Sequence, residues 1–129
     1  MRPKFAIFDS SVWIEILGSG PLAKFCQKEL HLHGKVIVPS LVLYEVYRKV
    51  ATQISEDQGL SVVAMLSQYQ VVDLTREVAL LAADLSIQNR LGMADSMVLA
   101  HAQSIGAVLV TLDNDFVGVD GVKVIRKSV

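Results

Sequence analysis

The sequence has one cysteine, three prolines and one tryptophan in 129 residues. The lone Cys26 excludes an intrachain disulfide and a zinc site built from cysteines. Charge is scarce as well, at 19% of residues, and the formal net charge is −1 from 12 Lys and Arg against 13 Asp and Glu. That balance lacks the basic excess of a histone-like or tail-driven nucleic-acid binder. Long apolar runs are missing too. Phe5-Ala6-Ile7-Phe8 stops at Asp9, too short for a secretory signal. The longest stretch free of Asp, Glu, Lys and Arg, from Ser96 to Leu112, carries Ser96, His101, Gln103, Ser104 and Gly106 and does not read as a membrane span. These absences point to a soluble, cytoplasmic protein. What the chain does have is 52% hydrophobic residues, which excludes disorder and suffices for one cored domain over residues 1–129.

Two hydrophobic periods alternate along the chain. Short apolar runs without polar alternation suit strands covered on both faces. They lie at 5–8, 36–38, 71–72, 107–111 and 122–125. Helical patterns lie between them. Ser10 or Ser11 can cap a helix carrying Val12, Trp13, Ile14 and Leu17. Gly18-Ser19-Gly20-Pro21 breaks the chain before a stripe of Leu22, Phe25, Cys26 and Leu30. Ser40 can cap a helix with Leu43, Tyr44, Tyr47, Val50 and Ala51 on one stripe. A polar link over 53–59 precedes Leu60, Val63, Ala64 and Leu66. Val78, Leu81, Ala82 and Leu85 make a further stripe, and a last helix runs from Asp95 to Ile105 with Gly106 as its stop. Strands alternating with helices predict a three-layer α/β/α fold around a mainly parallel sheet of about five strands. Sites in such sheets form outside the carboxyl ends of the strands.

Acids stand at those ends. Asp9 follows the first apolar run, Asp73 the third, and Asp113 with Asp115 the fourth. Glu45 and Asp95 sit inside apolar surroundings, where an acid is costly unless paired, hydrogen-bonded or bound to a metal. Carboxylates gathered at one sheet end repel, and a hard divalent cation removes that repulsion. Each acid also has a bland explanation. Asp9 can cap a helix, Glu45 can pair with Arg48 or Lys49, Asp95 can be an N-cap, and Asp113 and Asp115 can be turn residues around Asn114.

Taken together, four segments resemble the signature blocks of the PIN-domain nucleases, in the family's order. They are Phe8-Asp9-Ser10-Ser11-Val12-Trp13-Ile14, Val38-Pro39-Ser40-Leu41-Val42-Leu43-Tyr44-Glu45-Val46, Ala94-Asp95-Ser96-Met97-Val98-Leu99-Ala100-His101-Ala102 and Val110-Thr111-Leu112-Asp113-Asn114-Asp115-Phe116. A compact version of this kind looks most like the VapC toxins of toxin–antitoxin modules. The resemblance implies a Mg²⁺- or Mn²⁺-dependent endoribonuclease that is usually a homodimer and is inhibited by a cognate VapB-type antitoxin. It puts Asp9, Glu45, Asp95 and Asp113 on the family's acidic quartet and Asp115 on a frequent additional acid. Ser10, Ser11 and Thr111 fall where small hydroxyl residues support those acids. Ser96 stands where the family often has Ala. The fourth acidic position is the least constant, so Asp113 and Asp115 both stay in play. The implied chemistry is hydrolysis of an RNA phosphodiester, leaving 5′-phosphate and 3′-hydroxyl ends.

The remaining residues say less. His31 and His33 lack the spacing of a helical metal pair, and His101 reads as structural. Gly18-Ser19-Gly20 lacks the ending of a phosphate loop. Cys26 sits on an apolar stripe and reads as core. Setting the five site acids aside leaves 12 basic against 8 acidic residues, a mildly basic remainder. Arg48, Lys49 and Arg90 are candidates for RNA phosphates, with Arg76, Lys123, Arg126 and Lys127 behind them. Tyr44, Tyr47 and Leu43, or the Leu60–Tyr69 segment, are candidates for a dimer or antitoxin contact. Other classes fit worse. A phosphoacceptor receiver needs an acidic pair after its first strand, and a haloacid-dehalogenase-like phosphatase needs Asp-x-Asp, but Asp9 is followed by Ser10-Ser11. The nearer alternatives are a PIN nuclease of RNA processing or decay, one acting on single-stranded DNA, or a PIN-like binding module without catalysis.

Overall fold

A computed structural model describes residues 5–126. Five strands form one sheet: β1 (Phe5–Phe8), β2 (Lys35–Pro39), β3 (Gln70–Val72), β4 (Val108–Thr111) and β5 (Val122–Val124). Their order is β3-β2-β1-β4-β5, and every pair is parallel. The helices are α1 (Ser10–Leu17), α2 (Ala23–Leu32), α3 (Ser40–Gln53), α4 (Glu56–Leu66), α5 (Arg76–Asn89) and α6 (Met93–Ile105), with a 3-10 turn at Asn114–Phe116. The architecture is the expected three-layer α/β/α fold. Among the described residues, no helix is long and apolar enough to cross a membrane.

The sheet's centre explains its sequence. β1 and β4 are covered on both faces, so Ala6, Ile7, Phe8, Leu109 and Val110 are wholly buried and none can be polar. β3 and β5 are edges and admit Gln70 and Lys123. The chain steps outward from β1 through β2 to β3, then returns to the other side of β1 for β4. The order therefore reverses between β1 and β4, and a crevice opens above their carboxyl ends. Asp9 and Asp113 follow those two strands.

Helix boundaries differ from the sequence expectation in informative ways. The N-cap of α1 is Asp9, the capping role the sequence also left open to it, and its side chain accepts from the Ser10 N–H, so Ser10 and Ser11 lie inside the helix instead of capping it. Pro39 occupies the cap position of α3, because β2 runs directly into that helix, so Ser40 makes no cap bond. α4 begins at Glu56 under a Ser55 cap, four residues before the expected apolar start. α6 begins after Gly92, so Asp95 is not its cap but stands in its first turn. An acid there faces the positive end of the helix dipole. Gly106 stops α6 in the left-handed conformation, as expected.

Three helical stripes differ in phase from the expectation. On α3 the buried positions are Val42, Val46 and Val50, while Tyr44 is 62% exposed. Apolar residues fill nearly every position from Leu41 to Tyr47, so periodicity could not select the buried face. On α2 Cys26 is buried as expected, but Glu29 is buried beside it and Phe25 is exposed. The Lys123 ammonium of β5 holds Glu29 inside at 2.5 Å. On α4 Leu60 and Ala64 are exposed and Gly59 is buried. A Cβ on Gly59 would stand 3.1 Å from the Tyr47 ring, so the missing side chain lets α3 and α4 approach.

Candidate metal centre

Asp9 leaves the end of β1 with its N–H still donating to the Val110 carbonyl of β4, at 2.9 Å. The residue is 7% exposed. Its carboxylate is fixed at both oxygens. Oδ1 accepts from the Ser10 N–H at 2.9 Å. Oδ2 accepts from Ser11 Oγ at 3.1 Å and from Thr111 Oγ1 at 2.8 Å. The two hydroxyls also serve the β4 end of the crevice. Ser11 Oγ accepts from the Leu112 N–H at 3.1 Å, and Thr111 Oγ1 accepts from the Asp113 N–H at 3.1 Å. Asp9 and the loop of Asp113 are thus held in one hydrogen-bonded frame.

The other acids close around that frame. Asp95, Asp113 and Asp115 each bring a carboxylate oxygen into one group, all within 4.8 Å of one another. Asp113 Oδ1 also accepts from the Asp115 N–H at 2.9 Å and so caps the 3-10 turn. Both residues of the Asp113/Asp115 pair belong to the group. Glu45 comes from α3, half-buried, with Oε1 buried and without a hydrogen-bond partner. Among the described residues, Glu45 makes no ion pair with Arg48 or Lys49, and none of the five site acids makes a salt bridge. Asp73 stands apart, exposed beyond the edge strand β3.

Unpaired charge in a partly dry crevice is costly. Burial lifts the Asp95 carboxyl to about 6, helped by the charges of Asp9, Asp113 and Asp115. Burial also raises Asp9, against its hydrogen bonds from Thr111, Ser11 and Ser10. Glu45 is raised by burial and then by the charge of Asp9. Several carboxyls that hold protons too tightly, with only oxygen donors in reach, form a set that fits a hard divalent cation. Asp95, Asp113 and Asp115 are the residues that would hold it, with Asp9 behind them and Glu45 across the crevice.

A cleft of about 600 Å³ runs beside Glu45 and is lined by Ser10, Ser11, Ile14, Glu15, Tyr44, Arg48 and Lys49. Two of the three basic candidates therefore border the site. Arg90 does not line this cleft. It ends α5 in the left-handed conformation at φ 56°. Arg76 starts α5, Lys123 is engaged by Glu29, and Lys127 lies outside the described residues. The histidines stay out of the site. His31 is exposed, His33 lies 3.3 Å from Glu29, and His101 is buried, which lowers its pKa and favours the neutral ring. Sequence reasoning missed Glu15, which folds back so that Oε2 accepts from the Leu22 N–H at 2.6 Å where α2 begins. Gly20 is the available signal, since any side chain there would collide with the Glu15 carboxylate.

Comparison with known proteins gives three kinds of result. A family model described as PIN domain matches residues 6–122. No curated protein matches the chain. Solved structures match in fold along nearly the whole chain. A toxin–antitoxin complex from Klebsiella pneumoniae superposes with a TM-score of 0.78 at 23% identity, over 92% of this chain and 95% of that one. VapBC2 from Rickettsia felis, bound to a DNA fragment from its promoter, gives 0.75 at 16% identity over 95% and 99%. VapC20 from Mycobacterium tuberculosis, a sarcin-ricin-loop-cleaving toxin, gives 0.74 at 14% identity over 89% and 95%.

Proposed function

The chain belongs to the PIN domain family, and from that premise we propose that it is a divalent-metal-dependent endoribonuclease, the VapC-type toxin of a toxin–antitoxin module. The observation that carries the reading is the convergence of Asp95, Asp113 and Asp115 within 4.8 Å, beside an Asp9 locked by Thr111 and Ser11. A scaffold that spends hydroxyls and backbone amides on fixing carboxylates, with no salt bridge to them among the described residues, suits an external cation.

In this reading Asp95, Asp113 and Asp115 hold Mg²⁺ or Mn²⁺, with Asp9 completing the set. Such an ion supplies Lewis acidity toward a phosphate and an activated water. Glu45 has the free oxygen Oε1 and a raised pKa, so it is the group suited to take the proton from the attacking water. Arg48 and Lys49 neutralise phosphates that flank the scissile one. Arg90 stands apart from the cleft and contributes, at most, along the strand's path. Attack by water leaves 5′-phosphate and 3′-hydroxyl ends.

The toxin role draws on the structural neighbours, which include a toxin–antitoxin complex and a sarcin-ricin-loop-cleaving toxin. It brings a cognate VapB-type antitoxin, a homodimer and a cytoplasmic location with it, on a single nuclease domain over residues 1–129. The most exposed apolar side chains are Ile87 on α5, Met93 at the start of α6 and Ile54 after α3, rather than the Leu60–Tyr69 segment as a whole. Cleavage of total RNA by the wild type, Asp9→Asn and Asp95→Asn, with and without chelator, tests the reading. Loss of cleavage in both variants and in chelator is expected. Full activity in either variant or in excess chelator overturns it.

A further inference from the structure

We propose that Tyr44 is a positioning residue that stacks on a base of single-stranded RNA next to the scissile phosphate. The inference rests on the nuclease reading above and says how that site holds its strand.

Tyr44 is the large aromatic that the fold leaves uncovered nearest the acids. It is 62% exposed and immediately precedes Glu45 in α3. Burial of α3 falls on Val42, Val46 and Val50, so Tyr44 points away from that stripe. The ring contributes nothing to the core, and an exposed tyrosine beside a cleft is the informative kind of exposure. Its place is shared by two hollows. On one side is the cleft bordered by Glu45, Arg48 and Lys49. On the other is a hollow of about 250 Å³ lined by Ser40, Leu41, Leu74, Met97 and His101. Tyr44 is the wall between them.

The two hollows differ in chemistry as the two parts of a nucleotide differ. The first carries the site's acid and two cations, which suits a phosphate chain. The second has apolar and hydroxyl walls and a buried imidazole, and it presents no acid or lysine, which suits a planar heterocycle. Arg48 follows Tyr44 by one helical turn and shares its face, placing a cation for the neighbouring phosphate. Electrostatics make the need clear. Five carboxylates repel an RNA backbone and Arg48 and Lys49 offset only part of that, so an interaction indifferent to charge adds affinity at this spot. Base–aromatic stacking is such an interaction, and its loss costs roughly tenfold to a hundredfold in binding.

The test uses a short single-stranded RNA carrying 2-aminopurine, whose fluorescence is quenched on stacking. Binding is measured at low salt in chelator for the wild type, Tyr44→Phe and Tyr44→Ala. The wild type and Tyr44→Phe are expected to quench the probe, and Tyr44→Ala to lose the quench and bind at least about tenfold more weakly. With metal present, Tyr44→Ala is expected to raise KM by about the same factor and leave kcat nearly unchanged, with Tyr44→Phe restoring KM. Equal quenching and affinity in all three proteins, or no binding by the wild type, overturns the proposal. So does a Tyr44→Ala variant that changes oligomeric state by light scattering while quenching normally, because Tyr44 then serves a protein contact. Failure of the nuclease reading shows differently, as a wild type that cleaves no RNA in the presence of metal.

Discussion

Thr111 Oγ1 donates to Asp9 Oδ2 at 2.8 Å across a separation of 102 residues, and both side chains are buried. The same oxygen accepts from the Asp113 N–H. One hydroxyl therefore sets the distance between the acid that ends β1 and the acid that follows β4. Ser11 Oγ makes a second link of the same kind, donating to Asp9 Oδ2 and accepting from the Leu112 N–H.

Thr111→Val keeps the shape and removes the hydroxyl. Asp9 Oδ2 keeps only Ser11, and the Asp113 N–H loses its partner. Unfolding in urea is expected to show a loss of about 1–3 kcal/mol. Mn²⁺ affinity, followed by calorimetry, is expected to fall about tenfold or more, as for other outer-layer partners of metal ligands. Stability and affinity both at wild-type level would refute the role given to this hydroxyl.

Asp113 and Asp115 are expected to differ in weight. Asp113 is half-buried and its backbone is tied to Thr111, whereas Asp115 is exposed and hangs on Asp113 Oδ1. Asp113→Asn is expected to lower kcat at saturating Mg²⁺ about a hundredfold, and Asp115→Asn about tenfold, in line with the few kcal/mol that an electrostatic contact supplies in a transition state. The reverse order, read from initial rates on one oligonucleotide, would make Asp115 the weightier of the two ligands.

The pH dependence of the metal-free protein follows from Asp95. Its carboxyl is lifted from 3.8 to about 6 in the fold, so the folded state holds the proton more tightly than the unfolded chain. The destabilisation is absent below 3.8, grows up to about 6 and is complete above it. Asp95→Asn removes it. In chelator the variant is expected to melt higher than the wild type at pH 7.5, by roughly 3–5 °C after allowing for the solvated part of the side chain, and to converge with it near pH 4. Taking the difference cancels His101, whose lowered pKa works in the opposite direction below 6.5. A difference that is flat with pH, or that grows toward acid, contradicts the assignment.

Glu29 carries the chain's other costly carboxylate. It is 5% exposed and answered by Lys123 at 2.5 Å and His33 at 3.3 Å. Lys123→Met is expected to destabilise by about 1–3 kcal/mol, because it strands a buried charge. Glu29→Leu together with Lys123→Met is expected to recover most of that loss. A double variant as weak as the single one, in the same urea titration, would show that the pair stabilises more than its burial costs.

How far the sequence discloses this protein can be seen residue by residue. Strand ends were legible because strands buried on both faces are almost wholly apolar, so the first acids, Asp9 directly after β1 and Asp113 two residues after β4, mark where the runs stop. The gathering of Asp95, Asp113 and Asp115 was legible only through the four blocks together, since each acid alone suits a cap or a turn. The phase of α3 was not legible, because apolar residues surround the helix and only contact with the sheet selects Val42, Val46 and Val50. Glu29 was invisible for a different reason: its partner lies 94 residues away, and no local pattern announces it. At Asp9-Ser10-Ser11 three adjacent residues can all cap a helix, and the hydrogen bond from the Ser10 N–H decides for Asp9.

The position of β4 beside β1 has a consequence for biosynthesis. Asp9, Glu45 and Asp95 precede Thr111 and Asp113 in the chain and are therefore synthesised first. Until β4 pairs with β1, Asp9 Oδ2 lacks its strongest tether and the carboxylate group has one member of three. A nascent chain that has not yet reached β4 therefore lacks the hydroxyl that ties Asp9 and two members of the acidic group, however well its first three strands have formed.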